Sequence, residues 1–339
     1  MKSNKRSLKI VLKVLLGMLV VGYVLHSRMV DFSALGAVIF RPLNLLLSFV
    51  FLAFSLVCVA IRWNYLVRVQ KLSLPFKQVF SLTMIGSFFN NFMPGSVGGD
   101  LIKAWYMVGE EPQKKTRAVL TVLLDRAIGL FVIISYSAIT LLFYKQWLNE
   151  QVQLRVLGFS LWAITGGGFL LVGLFFLPWN ERVVKAIESL TVRLGLLGRI
   201  AQSLSLYRKN ILCAAAVLVL SATSILGIIV LYSIQGNGLG IQINFSQYLF
   251  IVPMALTVSA IPLLPAGIGV GQVAFYTLFK WVGIENPEQG ATLCTLVQIY
   301  TLLFNLIGGY FFIRYKKGIK KHLEQHSNEP ASEQMSAVG

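Results

Sequence analysis

The sequence predicts an all-α polytopic membrane protein, with about six full transmembrane helices and two oppositely oriented re-entrant helical hairpins in an inverted-repeat architecture. Three observations predict it. Hydrophobic residues are 56% of the 339 and charged residues only 13%, with a mean hydropathy of +0.73, outside the range of a soluble single-core domain. Two proline-glycine breaks, Phe92-Met-Pro-Gly-Ser-Val-Gly-Gly-Asp100 and Leu263-Leu-Pro-Ala-Gly-Ile-Gly-Val-Gly-Gln272, interrupt apolar sequence at corresponding places in the two halves. Backbone broken at membrane depth survives only where protein or a wet cavity covers it, and paired breaks mark transporter-like sites. Third, cations gather in short segments flanking apolar runs, which orients those runs.

The first run, 8–25, follows Lys2, Lys5, Arg6 and Lys9. It reads as an anchor rather than a cleaved signal, because Val24-Leu-His-Ser-Arg28 is a poor cleavage site. Further full spans fall at about 43–61, 118–143, 155–177, 210–232 and 291–313, each near the 20 or so residues that cross a bilayer. The stretches 76–109 and 248–282 contain the breaks.

Arg62, Arg68, Lys71 and Lys77 follow the second span without an acid, and Lys114, Lys115 and Arg117 precede the third, so both segments are assigned to the cytoplasm. The first broken stretch therefore enters and leaves from inside. Residues 178–209 carry six cations against Glu181 and Glu188, whereas 233–247 carry no charge and 283–290 only Glu285 and Glu288. The second broken stretch thus enters from outside, and Arg314, Lys316, Lys317, Lys320 and Lys321 hold the carboxyl terminus inside with the amino terminus. This gives a first membrane repeat at 1–150, a second at 151–320 with an amphipathic cytoplasmic linker at about 179–208, and a cytoplasmic tail at 321–339. Asp125 follows Pro94 by 31 positions and Gln298 follows Pro265 by 33, which adds modest support for the repeat.

The formal charge of +17 is read as topology signal and anionic-lipid contact, not nucleic-acid binding. Cys58, Cys213 and Cys294 lie in apolar runs and imply no disulfide framework. Of His26, His322 and His326, the last two sit in the charged tail, where a solvated role outweighs metal ligation, so no metal or cofactor is assigned.

Ionisable residues within apolar sequence are costly and mark function, which singles out Asp100, Lys103, Asp125 and Arg126. Adjacent helix positions point about 100° apart, so Asp125 and Arg126 must find separate partners, Lys103 and Asp100 respectively. Such a cluster is either a buried brace or a substrate contact. At the first break, Pro94, Gly95, Gly98 and Gly99 permit close backbone approach, and a helix resuming near Asp100 offers amide groups to an anion, with Asn90 and Asn91 as further donors. A phosphate headgroup fits this set, but the Gly-Lys-Ser/Thr ending of a nucleotide loop is missing. The second break has Pro265, Gly267 and Gly269, with Gln272 as its strong polar side chain. Gln298, Tyr300 and Asn305 on the last span read as helix-helix hydrogen-bonding groups. There is no nucleophile elbow, dinucleotide fingerprint or metalloprotease pattern, which favours a carrier over an enzyme.

Asn91-Phe-Met-Pro-Gly-Ser-Val-Gly-Gly-Asp-Leu-Ile-Lys103, Leu124-Asp-Arg-Ala-Ile-Gly129 and Leu264-Pro-Ala-Gly-Ile-Gly-Val-Gly-Gln272, in that order, resemble the lysylphosphatidylglycerol synthase transmembrane-region family, the flippase-like membrane domain. The resemblance covers about 8–315 and implies an integral inner-membrane protein related to lipid translocation. The family often has arginine where Lys103 stands and glutamate where Gln272 stands, and its aminoacyl-transferase domain has no counterpart in this sequence. The expectation is a flippase for an anionic phospholipid or polyprenyl-linked lipid in the bacterial plasma membrane. Alternatives are an accessory protein or transferase in lipid-linked glycan or lipid modification, working with a lipid-synthesis enzyme, and a small-solute secondary transporter.

Overall fold

The computed structural model describes residues 30–93, 98–177, 196–208, 210–259 and 267–327. Among these residues the chain is all helical: α1 Phe32–Ile39, α2 Pro42–Val69, α3 Phe76–Phe92, α4 Gly98–Glu110, α5 Lys115–Leu141, α6 Lys145–Glu150, α7 Val152–Phe176, α8 Leu196–Arg208, α9 Ile211–Gly238, α10 Phe245–Ser259, α11 Val270–Trp281 and α12 Glu288–Ser327. Five helical segments are long and apolar enough to cross a membrane: α2, α5 with its preceding 3-10 turn, α7, α9 and Glu288–Tyr315 of α12. The protein is a multi-pass α-helical membrane protein. The expected span at 8–25, most of the 179–208 linker and the distal tail lie outside the described residues; α8 is the linker's described part.

The helices beside the two breaks are short. At 1.5 Å per residue, the 13 residues of α4 reach about 20 Å and the 12 of α11 about 18 Å, well under the roughly 30 Å hydrocarbon core. Local chemistry explains the ends. Met93 is extended, with φ −88° and ψ 142°, as the residue before a proline must be to avoid its ring, so α3 stops at Phe92. Gly269, with φ +81°, starts α11, and the Gln272 Oε1 accepts its N–H at 2.7 Å.

Packing interleaves the two halves. The long helices α2 and α9 lie against each other, α3 packs on α12, and α10 packs on α5. One apolar core joins Trp63, Val67, Leu82, Ile85, Met107 and Val122 around α3 and α4; a larger one joins Tyr232, Phe250, Ile251, Phe275, Phe279 and Leu293 around α10 and α11. Lipid tails are as apolar as leucine, so helix association depends on close approach and polar contacts. Ser55 and Ser224 hydroxyls meet at 2.7 Å between α2 and α9, and a side chain at Gly308 of α12 would lie 2.3 Å from the Met84 carbonyl of α3.

At the cation-rich end, Glu111 accepts the Ser73 N–H at 2.6 Å and faces Lys114 at 3.3 Å, joining the turn before α3 to the turn after α4. The Ser73 amide holds its carboxyl below the usual range. A lowered folded-state pKa stabilises above the unfolded value and is lost as pH falls through the folded one. Glu111→Gln is therefore expected to flatten the acid-side fall in melting temperature, and an unchanged profile counts against this link.

Gly308→Val should cost about 1–3 kcal/mol through overpacking, whereas Gly109→Ala, whose new methyl meets nothing within 4 Å, should be neutral or stabilising by up to about 1 kcal/mol. Melting curves in detergent decide; equal midpoints for the two variants would contradict the tight α3–α12 contact.

Candidate functional site

Four helices bring the first charge cluster together. On α2, Arg62 points its Nε at Asp125 Oδ1 on α5, 2.7 Å away, and its Nη1 donates to Ser221 Oγ on α9 at 3.0 Å. The Lys103 ammonium on α4 stands 3.8 Å from the other Asp125 oxygen and 4.7 Å from the Trp63 ring centroid. Trp63 in turn donates to Thr121 Oγ1 at 3.3 Å. Arg62, Lys103 and Asp125 are only 6%, 5% and 5% exposed. Asp100 Oδ2 accepts from Arg126 Nη1 at 3.0 Å, and these side chains remain 17% and 28% exposed.

The two partnerships expected for Asp125 and Arg126 are therefore present, with the adjacent residues serving separate pairs as helix geometry requires. Arg62 is the addition. The second span was expected to end at 61 with Arg62 among the cytoplasmic cations, but α2 runs on to Val69 and Arg62 lies within it. A cation followed immediately by Trp63-Asn-Tyr-Leu-Val67, with Ile61 before it, was the available signal. Gly129, the end of the Leu124-Asp-Arg-Ala-Ile-Gly129 motif, lies beside the Arg62 guanidinium, where a methyl would meet Nη1 at 3.4 Å, an ordinary contact.

The arms of the first break meet through glycine. A side chain at Gly99 would lie 1.9 Å from the Gly86 carbonyl, and one at Gly98 would strike Met93. Gly99 N–H, expected to be open to an anion, donates to Asn90 Oδ1 at 2.8 Å, so Asn90 braces α3 to α4. Asn91 keeps a buried Nδ2 with no hydrogen-bond partner. Pro94 and Gly95 lie outside the described residues, as does Pro265.

The second break is closed by amides. Gln272 caps α11 with its oxygen and donates to Thr295 Oγ1 at 3.2 Å and Gln298 Oε1 at 2.8 Å on α12. Gly267 and Gly269 take φ +66° and +81°, the left-handed region that favours glycine. Gln272 is buried and its amide engaged at both ends, and Gln298 makes the helix-helix bond expected of it. Tyr300 donates to carbonyls at the end of α1.

Short helices around a buried charge cluster, within long apolar helices, define a multi-pass α-helical membrane protein with an ionic site among its spans. The chain belongs to the lysylphosphatidylglycerol synthase transmembrane-region family, whose sequence model matches residues 10–309. This family is flippase-like, and membership is consistent with lipid movement across a membrane. The chain is 24% identical over 302 residues to the UPF0104 membrane protein PH1989 of Pyrococcus horikoshii, covering 80% of this chain and 88% of that protein. It is 29% identical over 144 residues to the UPF0104 membrane protein MJ1595 of Methanocaldococcus jannaschii, covering 39% of this chain and 43% of that protein. No solved structure matches the chain.

Removing one partner of a buried pair costs about 3–5 kcal/mol. Asp125→Ala, which strands Arg62 and Lys103, is expected to fall in that range, and Arg126→Ala at the more exposed pair to cost clearly less. A comparable drop in melting temperature for both would contradict the division into inner and outer pairs.

Proposed function

We propose that the protein is a flippase that moves a lipid with an anionic headgroup, an anionic phospholipid or a polyprenyl-linked lipid, across the plasma membrane. The observation that carries this reading is where the Asp100–Arg126 pair sits. Beside it on α4, Leu101 is 66% exposed, and on α5 Leu123, three residues before Arg126, is 60% exposed. Exposed leucines on helices of this depth suit acyl chains, and in this reading the partly exposed ion pair lies at a seam open sideways to them. A headgroup entering there exchanges water for Arg126 and the charges behind it while its chains stay in lipid. A solute carrier has no need of a lateral opening.

Alternating access follows from an inverted repeat pairing α2–α5 with α9–α12, each with one re-entrant hairpin. Two features support it. Helix contacts survive exchange of the halves: α3 on α12 matches α10 on α5, α2 on α3 matches α9 on α10, and α4 on α5 matches α11 on α12. Polar contacts repeat too. Arg62 to Ser221 at 3.0 Å corresponds to Gln235 to Ser48 at 2.9 Å, each residue of one half paired with a position 173 away in the other. Asp100–Arg126 and Gln272–Gln298 each link a hairpin to its following helix at a separation of 26. In this reading the cation bias of the sequence puts both termini in the cytoplasm.

Purified protein in liposomes should accelerate transbilayer movement of fluorescent phosphatidylglycerol or a polyprenyl phosphate. Arg126→Ala should slow it roughly tenfold or more, the scale of one charge-assisted hydrogen bond. Folded protein that moves no lipid, or an Arg126→Ala rate equal to wild type, overturns the proposal. The first outcome would redirect attention to lipid modification.

A further inference from the structure

Among the described residues the cluster's charges do not balance. Arg62, Lys103 and Arg126 face Asp100 and Asp125, so the paired groups leave one positive charge over. Distances locate it. Arg62 contacts Asp125 at 2.7 Å and Arg126 contacts Asp100 at 3.0 Å, both within hydrogen-bonding range. Lys103 is held by attraction alone, at 3.8 Å from a carboxylate that Arg62 already engages, and by the face of Trp63. Its stem lies along α3, close enough that a side chain at Gly86 would come within 2.9 Å of its Cε. The ammonium is thus buried between the Asp125 and Asp100 charges and, among the described residues, is hydrogen-bonded to neither carboxylate.

An unbalanced charge at membrane depth is costly, and an occupant that cancels it removes that cost. We infer that the site is charge-matched to a lipid whose headgroup carries a single net negative charge as a phosphodiester, with Lys103 as the specificity-determining residue. This rests on the lipid-carrier reading above. A zwitterionic headgroup can touch the same cations, but its own ammonium leaves the surplus in place. A headgroup with two negative charges over-compensates and leaves a buried negative charge.

Native mass spectrometry of the full-length protein in detergent tests this with phosphatidylglycerol, phosphatidylcholine and a lipid diphosphate. Wild type should favour phosphatidylglycerol over each of the others by roughly tenfold or more, the scale of one charge-assisted hydrogen bond. Lys103→Gln should erase the preference over phosphatidylcholine, and Lys103→Arg should retain it. Equal binding of phosphatidylglycerol and phosphatidylcholine by wild type overturns the inference, as does a Lys103→Gln protein that still prefers phosphatidylglycerol. If Lys103→Gln does not fold, the wild-type ranking decides alone.

The two readings fail separately. Selective binding without transport leaves the charge match standing and removes the carrier, whereas transport of phosphatidylcholine as fast as phosphatidylglycerol leaves the carrier and removes the charge match. A water-soluble arm, glycerophosphoglycerol, separates the sources of the phosphodiester. If it binds as tightly as the lipid, the charge match is supported and the lateral lipid entrance is not.

Discussion

Everything around the first break depends on the Asp125 carboxylate having more than one cation. A lone carboxylate inside a bundle of apolar helices would be several kcal/mol out of place. Arg62 reaches it from α2 and Lys103 from α4, while the same arginine reaches Ser221 on α9. Four helices are thereby tied to one side chain, and α9 belongs to the other half of the chain. The surrounding apolar packing of Trp63, Val122 and Met107 excludes water and so strengthens the attraction. Gly86 leaves room for the lysine stem, since a side chain there would come within 2.9 Å of Lys103 Cε and 3.3 Å of the Gly99 carbonyl.

The two breaks solve the same backbone problem with different chemistry. Around α11, Gln272 engages the Gly269 amide, Thr295 and Gln298, so neutral hydrogen bonds hold the short helix to its neighbour. Around α4, the corresponding contact is the Asp100–Arg126 ion pair. Amide contacts are indifferent to a nearby charge, whereas an ion pair can exchange one partner for an ionic ligand of the same sign. In the proposed carrier the first hairpin therefore senses the headgroup and the second keeps its form.

Much of this was legible in the sequence, for reasons that can be named. Apolar runs of 20 or so residues have one comfortable solution in a bilayer, so the long helices stand where the runs do. Pairing of Lys103 with Asp125 and Asp100 with Arg126 followed from helical angles and the scarcity of charge. Arg62 did not follow, because a basic residue at the end of an apolar run has the appearance of a topology signal, and only the three-dimensional approach of α2 to α5 distinguishes a flank from a core. The role of Asn90 was also hidden. Its sequence position beside the break is compatible with donation to a ligand, and the 2.8 Å contact with Gly99 N–H depends on how α3 and α4 fold back on each other.

Ser221 was the least legible residue, since a serine in a long apolar helix ordinarily bonds its own backbone four residues back. It does so here, at 2.7 Å from the Val217 carbonyl, while its oxygen accepts from Arg62. This double use fixes the guanidinium without adding charge to the interior. It also means that separating α2 from α9 would leave a buried arginine donor unsatisfied, in addition to breaking the Ser55–Ser224 contact further along the same interface.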